Sequence, residues 1–172
     1  MKLKEIITQR HSKQNTAAAV KLLVENKKFV GELISYLSGD DKQLARRAAW
    51  VASELTRTNP GLIQPFVKKI TANLIKKNAD DAVKRNTLRV FQWLAMPKPV
   101  HGLMMNLCFD IIVSNDEQPA VKANALSILE ILYETYPGIG SELVSIIESR
   151  YDNESPAFKT RASKLLKKMK NL

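Results

Sequence analysis

The stretch VKRNTLRVFQWL, Val83 to Leu94, carries a pattern that occurs four times in the chain. The other copies are LARRAAWVASEL (44–55), VKANALSILEIL (121–132) and FKTRASKLLKKM (158–169). Each copy opens on a large apolar residue, has a small residue four positions later, and has two or three more large ones among offsets seven, eight and eleven. These offsets share one side of an α-helix, so the copies predict four amphipathic helices.

The spacing of the copies indicates a repeat architecture. Their first residues are 39, 38 and 37 positions apart, which is typical of solenoids built from paired helices. The segments TNPGLI (58–63) and TYPGIG (135–140) follow the first and third copies, and their prolines are 77 residues apart, as are the openings of those two copies. Two independent features therefore indicate the same double period.

The residues between the copies predict a second helix in each repeat. Apolar segments at 62–77, 101–113 and 139–151 are each followed by an acidic or asparagine turn, at 78–81, 114–117 and 152–155. A shorter segment at 29–37 precedes the first copy, and SGDD (38–41) separates the two, with aspartates able to cap the copy that follows. Strand signals are missing, so each repeat is predicted as outer helix, turn and inner helix.

The N-terminal residues match the repeat poorly, as expected for the terminal unit of a solenoid. We expect helices at 3–9 and 17–25, separated by a polar break at 11–15, with Thr16 as the N-cap of the second. The chain is thus predicted as one domain, 1–172, with an N-terminal cap at 1–28 and repeats at about 29–58, 59–96, 97–136 and 137–172.

The inner helices resemble those of the HEAT-repeat family, part of the HEAT and armadillo superfamily. That family has a turn aspartate, then a valine and a basic residue, then a small residue three positions after the base. Three copies match after Asp80/Asp81, Asp116 and Asp152, with the triplets Val83, Lys84, Thr87; Val121, Lys122, Ala125; and Phe158, Lys159, Ala162. The first copy departs from the pattern, because Ala45 stands where the base belongs. The resemblance covers about residues 29–169.

The resemblance implies an all-α fold, a right-handed α-α superhelix (solenoid) of HEAT-like helical hairpins with about ten helices. It also implies a concave surface lined by the exposed side of the inner helices. The resemblance indicates almost nothing about function, since the family includes scaffolds, transport receptors and a few DNA-repair enzymes.

Composition restricts the setting and the partners. The chain has a formal net charge of +10, so nucleic acid, acidic proteins and anionic membrane surfaces are all conceivable partners. Cys108 is the single cysteine, which excludes an intrachain disulfide and fits a reducing compartment. No run of 18 apolar residues and no signal-peptide pattern occurs, so we expect a cytoplasmic protein without membrane insertion.

Catalytic templates find no match in the sequence. Neither GxGxxG nor GxxxxGK[ST] occurs among the six glycines. His11 and His101 have no carboxylate or cysteine at ligand spacing, and Cys108 lies in an apolar helix where a cysteine usually packs as a small hydrophobe. We therefore predict no catalytic residue, no metal and no cofactor.

Positions at offsets two, three, six and ten of the first two copies lie outside the apolar face or on its border. Tryptophans and arginines both are enriched at binding hot spots and both stack on bases. The offsets favour a more exposed position for Trp50 than for Trp93, and the alternative is a solvated face with Trp93 partly in the core. The predicted concave binding patch consists of Arg46, Arg47, Trp50, Arg85, Arg89 and Trp93.

A non-catalytic scaffold that binds a protein or peptide on its concave face is the leading hypothesis. The alternative is nucleic-acid binding, as in HEAT-like DNA glycosylases that repair alkylated bases, with Glu54 the acidic residue near Trp50. Residues 61–100 carry a net charge of +6 but residues 101–150 carry −5, which argues against a continuous nucleic-acid track. A third option is a structural subunit, and the oligomeric state is not predicted.

Overall fold

The computed structural model describes residues 2–76 and 80–170, which form two compact units, Met1–Met96 and Pro97–Leu172. Helices and turns, without strands, make up the described residues, so the predicted all-α class is confirmed. The expectation of about ten helices is also confirmed, since these residues form eleven α-helices of which one is a single turn. The division into an N-terminal cap and four repeats stays a prediction.

The first unit is built around α4, which packs against α2, α3 and α7. The helix α1 packs on α2, and α6 packs on α7. Short 3-10 turns at 27–29 and 64–66 lead into α3 and α6. The helices are α1 (Leu3–Gln9), α2 (Lys13–Glu25), α3 (Val30–Leu37), α4 (Lys42–Thr58), α5 (Pro60–Ile63), α6 (Val67–Leu74) and α7 (Asp81–Phe91).

The second unit repeats the same local order. Its inner helices α9 and α11 pack on each other, α8 packs on α9, and α10 packs on α11. Proline begins both inner helices, where its missing N–H costs no hydrogen bond. The helices are α8 (Lys98–Val113), α9 (Pro119–Thr135), α10 (Gly140–Arg150) and α11 (Pro156–Lys170).

The repeated apolar offsets form the core of each unit, as the pattern predicts. All five offsets are buried in the first three copies, including Thr87 at the small position of the second. In the fourth copy Phe158, Ala162 and Leu165 are buried, whereas Leu166 and Met169 are partly exposed. This last helix therefore contributes a narrower apolar face to the core than the other three.

The second N-terminal helix begins earlier than predicted. Its N-cap is Ser12, whose hydroxyl accepts a hydrogen bond from the backbone N–H of Asn15 at 3.2 Å. Thr16 is not a cap: it is buried inside the helix and its hydroxyl donates to the Ser12 carbonyl. The predicted polar break at 11–15 therefore shrinks, and Lys13 to Thr16 become a helical turn.

Two further predictions of helix length are wrong. The predicted outer helix at 62–77 is interrupted, because Pro65 lies in a 3-10 turn between α5 and α6; its last residue, Lys77, and the turn residues Asn78 and Ala79 lie outside the described residues. The second inner helix ends at Phe91, three residues before the end of the apolar pattern. Leu94 is nevertheless buried, so the pattern identified a core residue that lies beyond the helix.

None of the described helices has both the length and the apolar character that crossing a lipid bilayer would need.

Candidate binding groove

The helix α4 presents one polar and aromatic face beside its buried one. Asp41 caps the helix by accepting a hydrogen bond from the Leu44 backbone N–H at 3.1 Å, which fixes where the helical period starts. Trp50, Glu54 and Arg57 then follow at offsets of four and three residues, so they lie along one side of the helix. A half-buried tryptophan, a carboxylate and a guanidinium are thereby brought into one row.

This row lies on one side of a groove of about 750 Å³ within the first unit, which we call the α2–α4 groove. The opposite side is formed by α2, and α7 adds Arg89. The α2 residues follow the same one-face spacing as the repeat, with a basic residue at each end of the row and small or apolar residues between. They are Lys13, Thr16, Ala17, Val20 and Lys21.

The charges in the groove are unbalanced. Among the described residues that line it, Lys13, Lys21, Arg57 and Arg89 contribute four positive charges and Glu54 contributes one carboxylate. Glu25, which is not part of the lining, lies 3.9 Å from Lys21 in an exposed pair. Both arginines contact the Glu54 carboxylate, Arg57 through Nε at 3.3 Å and Arg89 through Nη2 at 3.4 Å. Charge-assisted hydrogen bonds are usually about 2.7–2.9 Å long, so both contacts are weak. The two guanidiniums thus share one carboxylate and bind it loosely.

Trp50 is held at one end of the groove by a second ring. The imidazole of His11 lies with its centroid 4.8 Å from the Trp50 ring, at an interplanar angle of 54°. Tilted pairs at this separation are attractive. His11, which sequence reasoning considered only as a metal ligand, therefore acts as a support for the indole.

Arg46 forms an ion pair that links two consecutive inner helices. Its Nε and Nη2 donate to Asp80 Oδ2 at 2.9 and 2.7 Å. Asp80 is also the N-cap of α7, accepting from the backbone N–H groups of Ala82 and Val83. The Arg46 hydrogen bond, aided by these N–H groups, holds the pKa of the Asp80 carboxyl below its ordinary value. Arg46 thus supplies the repeat-to-repeat contact that Ala45 cannot make.

Replacing Asp80 should separate its role as the N-cap of α7 from its role as the ion-pair partner of Arg46. We expect Asp80→Ala to lower the free energy of unfolding by about 1 kcal/mol through the lost cap, with a further loss from the ion pair. Asp80→Asn keeps a capping oxygen and should lose less. Because the folded-state pKa is depressed, the ion-pair stabilisation is present above pH ~4 and disappears as pH falls through the folded-state pKa.

Urea unfolding at neutral and acidic pH measures both effects. The stability difference between the unsubstituted chain and Asp80→Ala should be larger at pH 7 than at pH 2. A difference independent of pH would contradict an ionised Asp80 bound to Arg46, and equal losses for alanine and asparagine would contradict the capping role.

The other residues of the predicted patch lie outside the α2–α4 groove. Arg47 donates through Nη1 to the carbonyls of Ile7, at 3.1 Å, and Thr8, both near the C-terminal end of α1. Arg85 is exposed on α7. Of the predicted patch, Trp50 and Arg89 are brought together in the groove.

Trp93 is more exposed than Trp50, contrary to the expectation from their offsets. It is 52% exposed, whereas Trp50 is half-buried. The physical reason is the early end of α7: beyond Phe91 the helical period no longer determines which way a side chain points. Trp93 is exposed on the surface and is not among the residues that line the groove.

Three cations on the inner helices of the second unit form ion pairs within the fold. Arg161 and Lys168 of α11 both donate to Glu130 of α9, and Lys168 also donates to Glu134. Lys122 of α9 donates to Glu154 at 2.6 Å. These three cations therefore already have acidic partners within the second unit.

The single cysteine and the metal-binding residue types form no reactive cluster in the described part of the chain. Cys108 is buried, and burial raises the pKa of its thiol well above the ordinary value. Within residues 2–76 and 80–170, no group of three or more His, Cys, Asp or Glu could hold a metal ion.

Sequence reasoning missed the contribution of α2 and the role of Arg57. The signal for α2 was present in Ser12 and Asn15, a capping pair at the right spacing, and in the one-face spacing of Lys13, Ala17 and Val20. Arg57 falls two residues beyond the twelve-residue pattern of the first copy, so the pattern does not single it out.

Comparison with known proteins agrees with the architecture. The model of the HEAT repeat domain family matches residues 3–169, nearly the whole chain. No curated protein and no solved structure matches the chain significantly. The match spans both units and includes the N-terminal helices that fit the repeat pattern least well. The chain belongs to the HEAT repeat family.

Proposed function

We propose that the chain is a non-catalytic interaction module that binds a protein or peptide partner in the α2–α4 groove. The observation that carries the proposal is the position of Trp50, half-buried at one side of a groove of about 750 Å³ whose described lining includes four cations and one carboxylate. Membership of a family of helical-repeat scaffolds supports the same conclusion.

The chemistry of the groove indicates the character of the partner. Trp50, Ala17 and Val20 offer apolar surface, and tryptophan and arginine are the residue types most often found as binding hot spots. The excess of positive charge favours a partner with carboxylates and also accelerates its association. We therefore propose a partner segment that carries both apolar and acidic side chains.

The proposed setting is the cytoplasm. A chain whose single cysteine is a buried thiol is suited to a reducing compartment and needs no oxidising one for stability. The groove lies entirely within the first unit, so the proposed binding requires no second copy of the chain.

Peptide selection with matched variants tests the proposal. Peptides from a displayed random library, selected on the full chain and then synthesised, should lose at least tenfold in affinity on Trp50→Ala, because hot-spot truncations typically cost ~2 kcal/mol or more. Arg89→Glu should weaken them by a similar factor, since it reverses a charge in the groove. Fluorescence anisotropy of labelled peptides gives both affinities.

The chain contains a control for each variant. Trp93→Ala removes the other tryptophan, which is exposed outside the groove, and Arg85→Glu reverses a charge on the same helix as Arg89. Both controls should leave affinity within a factor of two. Selected peptides that bind equally well to Trp50→Ala and to the unsubstituted chain would contradict the proposed groove.

Nucleic-acid binding is the second candidate, because a tryptophan beside arginines also suits a stacked base. Binding of a duplex through six phosphates would make log affinity fall against log salt with a slope of about −5. We expect only weak binding of a 20-base-pair duplex and no dependence on Trp50. Tight, Trp50-dependent binding with that salt slope would replace the peptide proposal with this one.

A further inference from the structure

The arrangement of groups along α4 suggests what kind of segment the α2–α4 groove recognises, if the proposed function is right. Trp50 and Arg57 are seven positions apart on one helix, and Glu54 lies between them. At 1.5 Å per residue, positions 50 and 54 are separated by ~6 Å along the axis and positions 50 and 57 by ~10.5 Å. The helix positions that carry the apolar and the charged side chains are thus about one to two turns apart along α4.

An extended peptide covers the same distance with few residues. At ~3.3 Å per residue, 6–10.5 Å corresponds to about two or three residues. We infer that the groove recognises a short extended acidic segment in which an apolar side chain and a carboxylate are two or three residues apart, the apolar side chain packing on Trp50 and the carboxylate binding between Arg57 and Arg89.

The contacts of the two arginines support the carboxylate site. Each guanidinium has five N–H donors, and their contacts to Glu54, at 3.3 and 3.4 Å, are longer than good ion pairs. By contrast, Arg46 binds Asp80 at 2.7 Å in the same unit. Arg57 is exposed and can reorient, so a second carboxylate can reach donors that Glu54 leaves free or holds weakly.

Glu54 then acts as an internal competitor for the incoming carboxylate. Its negative charge offsets half of the charge of the arginine pair and repels a second carboxylate at the same place. Lys13 and Lys21 of α2 line the same groove and add positive charge. In the described structure Glu54 is paired with Arg57 and Arg89, and Lys21 has only an exposed partner, Glu25, at 3.9 Å. The groove as a whole therefore remains attractive to acidic segments, at an affinity that Glu54 reduces.

Synthetic peptides of defined spacing test the inference on the full chain. Twelve-residue Gly/Ser peptides carry one Phe and one Glu separated by one, two, three, five or seven positions, in both orders, because the geometry does not fix the chain direction. The readout is the indole N–H signal of Trp50 in ¹H–¹⁵N NMR spectra. The chain has only two tryptophans, so Trp93→Phe assigns the two signals and the Trp93 signal serves as an internal control.

Peptides with a separation of two or three should shift the Trp50 signal and bind at least fivefold more tightly than those with one or seven. Replacing their Glu by Gln should remove that advantage. Glu54→Gln should tighten binding of the Glu peptide several-fold and leave the Gln peptide unchanged. Equal affinity at every spacing, no effect of the peptide carboxylate, or weaker binding of the Glu peptide to Glu54→Gln would overturn the inference.

The outcome separates this inference from the proposed function. If library-selected peptides depend on Trp50 but lack an acidic residue at this spacing, the groove binds peptides and the recognition pattern is wrong. If the binding of no peptide, selected or designed, depends on Trp50, the groove is not a peptide-binding site. The proposed function and the proposed recognition pattern are then both wrong.

Discussion

Phe91→Ala should lower the free energy of unfolding by about 3–5 kcal/mol, the usual cost of truncating a buried phenylalanine. Phe91 is 0% exposed and is among the largest fully buried side chains of the described chain. The loss combines the transfer free energy of the ring with the cost of the cavity left in the core of the first unit, where α7 packs on α4 and α6 and the surroundings can relax only in part. Urea unfolding followed by tryptophan fluorescence measures it, because both tryptophans lie in the first unit.

Trp93→Ala is the matched control, two residues further along. Trp93 is larger than Phe91 but lies beyond the end of α7 and is 52% exposed, so its removal uncovers less apolar surface, leaves no buried cavity and should cost less than half as much stability as Phe91→Ala. Trp50 remains as the fluorescent probe in both variants. A loss below about 1 kcal/mol for Phe91→Ala would contradict the assignment of Phe91 to the core. A loss for Trp93→Ala that exceeds the loss for Phe91→Ala would contradict the assignment of Trp93 to the surface.

The contrast between these two residues shows what a periodic pattern can predict. Offsets along a helix identify the buried face because a helix repeats every 3.6 residues, and Val83, Thr87, Val90 and Phe91 follow that rule. The rule fails where the helix ends, since α7 stops at Phe91 with Pro97 and Pro99 a few residues further on. Beyond that point the local direction of the chain determines which side chains are exposed. The exposure of Trp93 therefore could not be predicted from its offset in the repeat.

The candidate groove was predictable only in part for a different reason. Trp50 and Arg89 could be selected because both follow from the copies of the repeat. The α2 side of the groove depends on where that helix begins, and Ser12 competes with Thr16 as a cap in sequence alone. Whether an arginine serves binding or structure depends on partners far away in sequence, as with Arg46 and Asp80, 34 residues apart.

The ion pairs between repeats also follow the family pattern imperfectly. The pattern places a base at the start of each inner helix, opposite an acid in a turn, and Lys122 with Glu154 fits this arrangement in the second unit. In the first unit Arg46 takes that role, one position after Ala45. A contact between repeats therefore tolerates a shift of one position, because the long arginine side chain can reach the same turn.

The second large effect is expected at the buried ion pair of the second unit, where Glu154→Ala should lower the free energy of unfolding by about 3–5 kcal/mol. The side chains of Lys122 and Glu154 are only 6% and 7% exposed, and their charged atoms are 2.6 Å apart. Arg150 also donates to Glu154, at 3.1 Å, but is 24% exposed and has further acceptors in Ser114 and Asn115. Removing the carboxylate thus leaves mainly the Lys122 ammonium uncompensated.

Replacement of both partners separates the cost of an orphaned charge from the net value of the pair. Apolar groups of similar volume in place of a buried ion pair are often neutral or stabilising, so Lys122→Met with Glu154→Met should recover most of the stability that Glu154→Ala loses. The exposed pair Lys21–Glu25, 3.9 Å apart, gives the surface control, and Glu25→Gln should leave the unfolding transition almost unchanged.

Urea unfolding followed by circular dichroism measures these losses of stability, and hydrogen exchange in α9 and α11 shows whether they occur in the second unit. A small loss for Glu154→Ala would mean that water reaches Lys122, whereas failure of the double variant to recover would mean that the pair stabilises the second unit through its geometry.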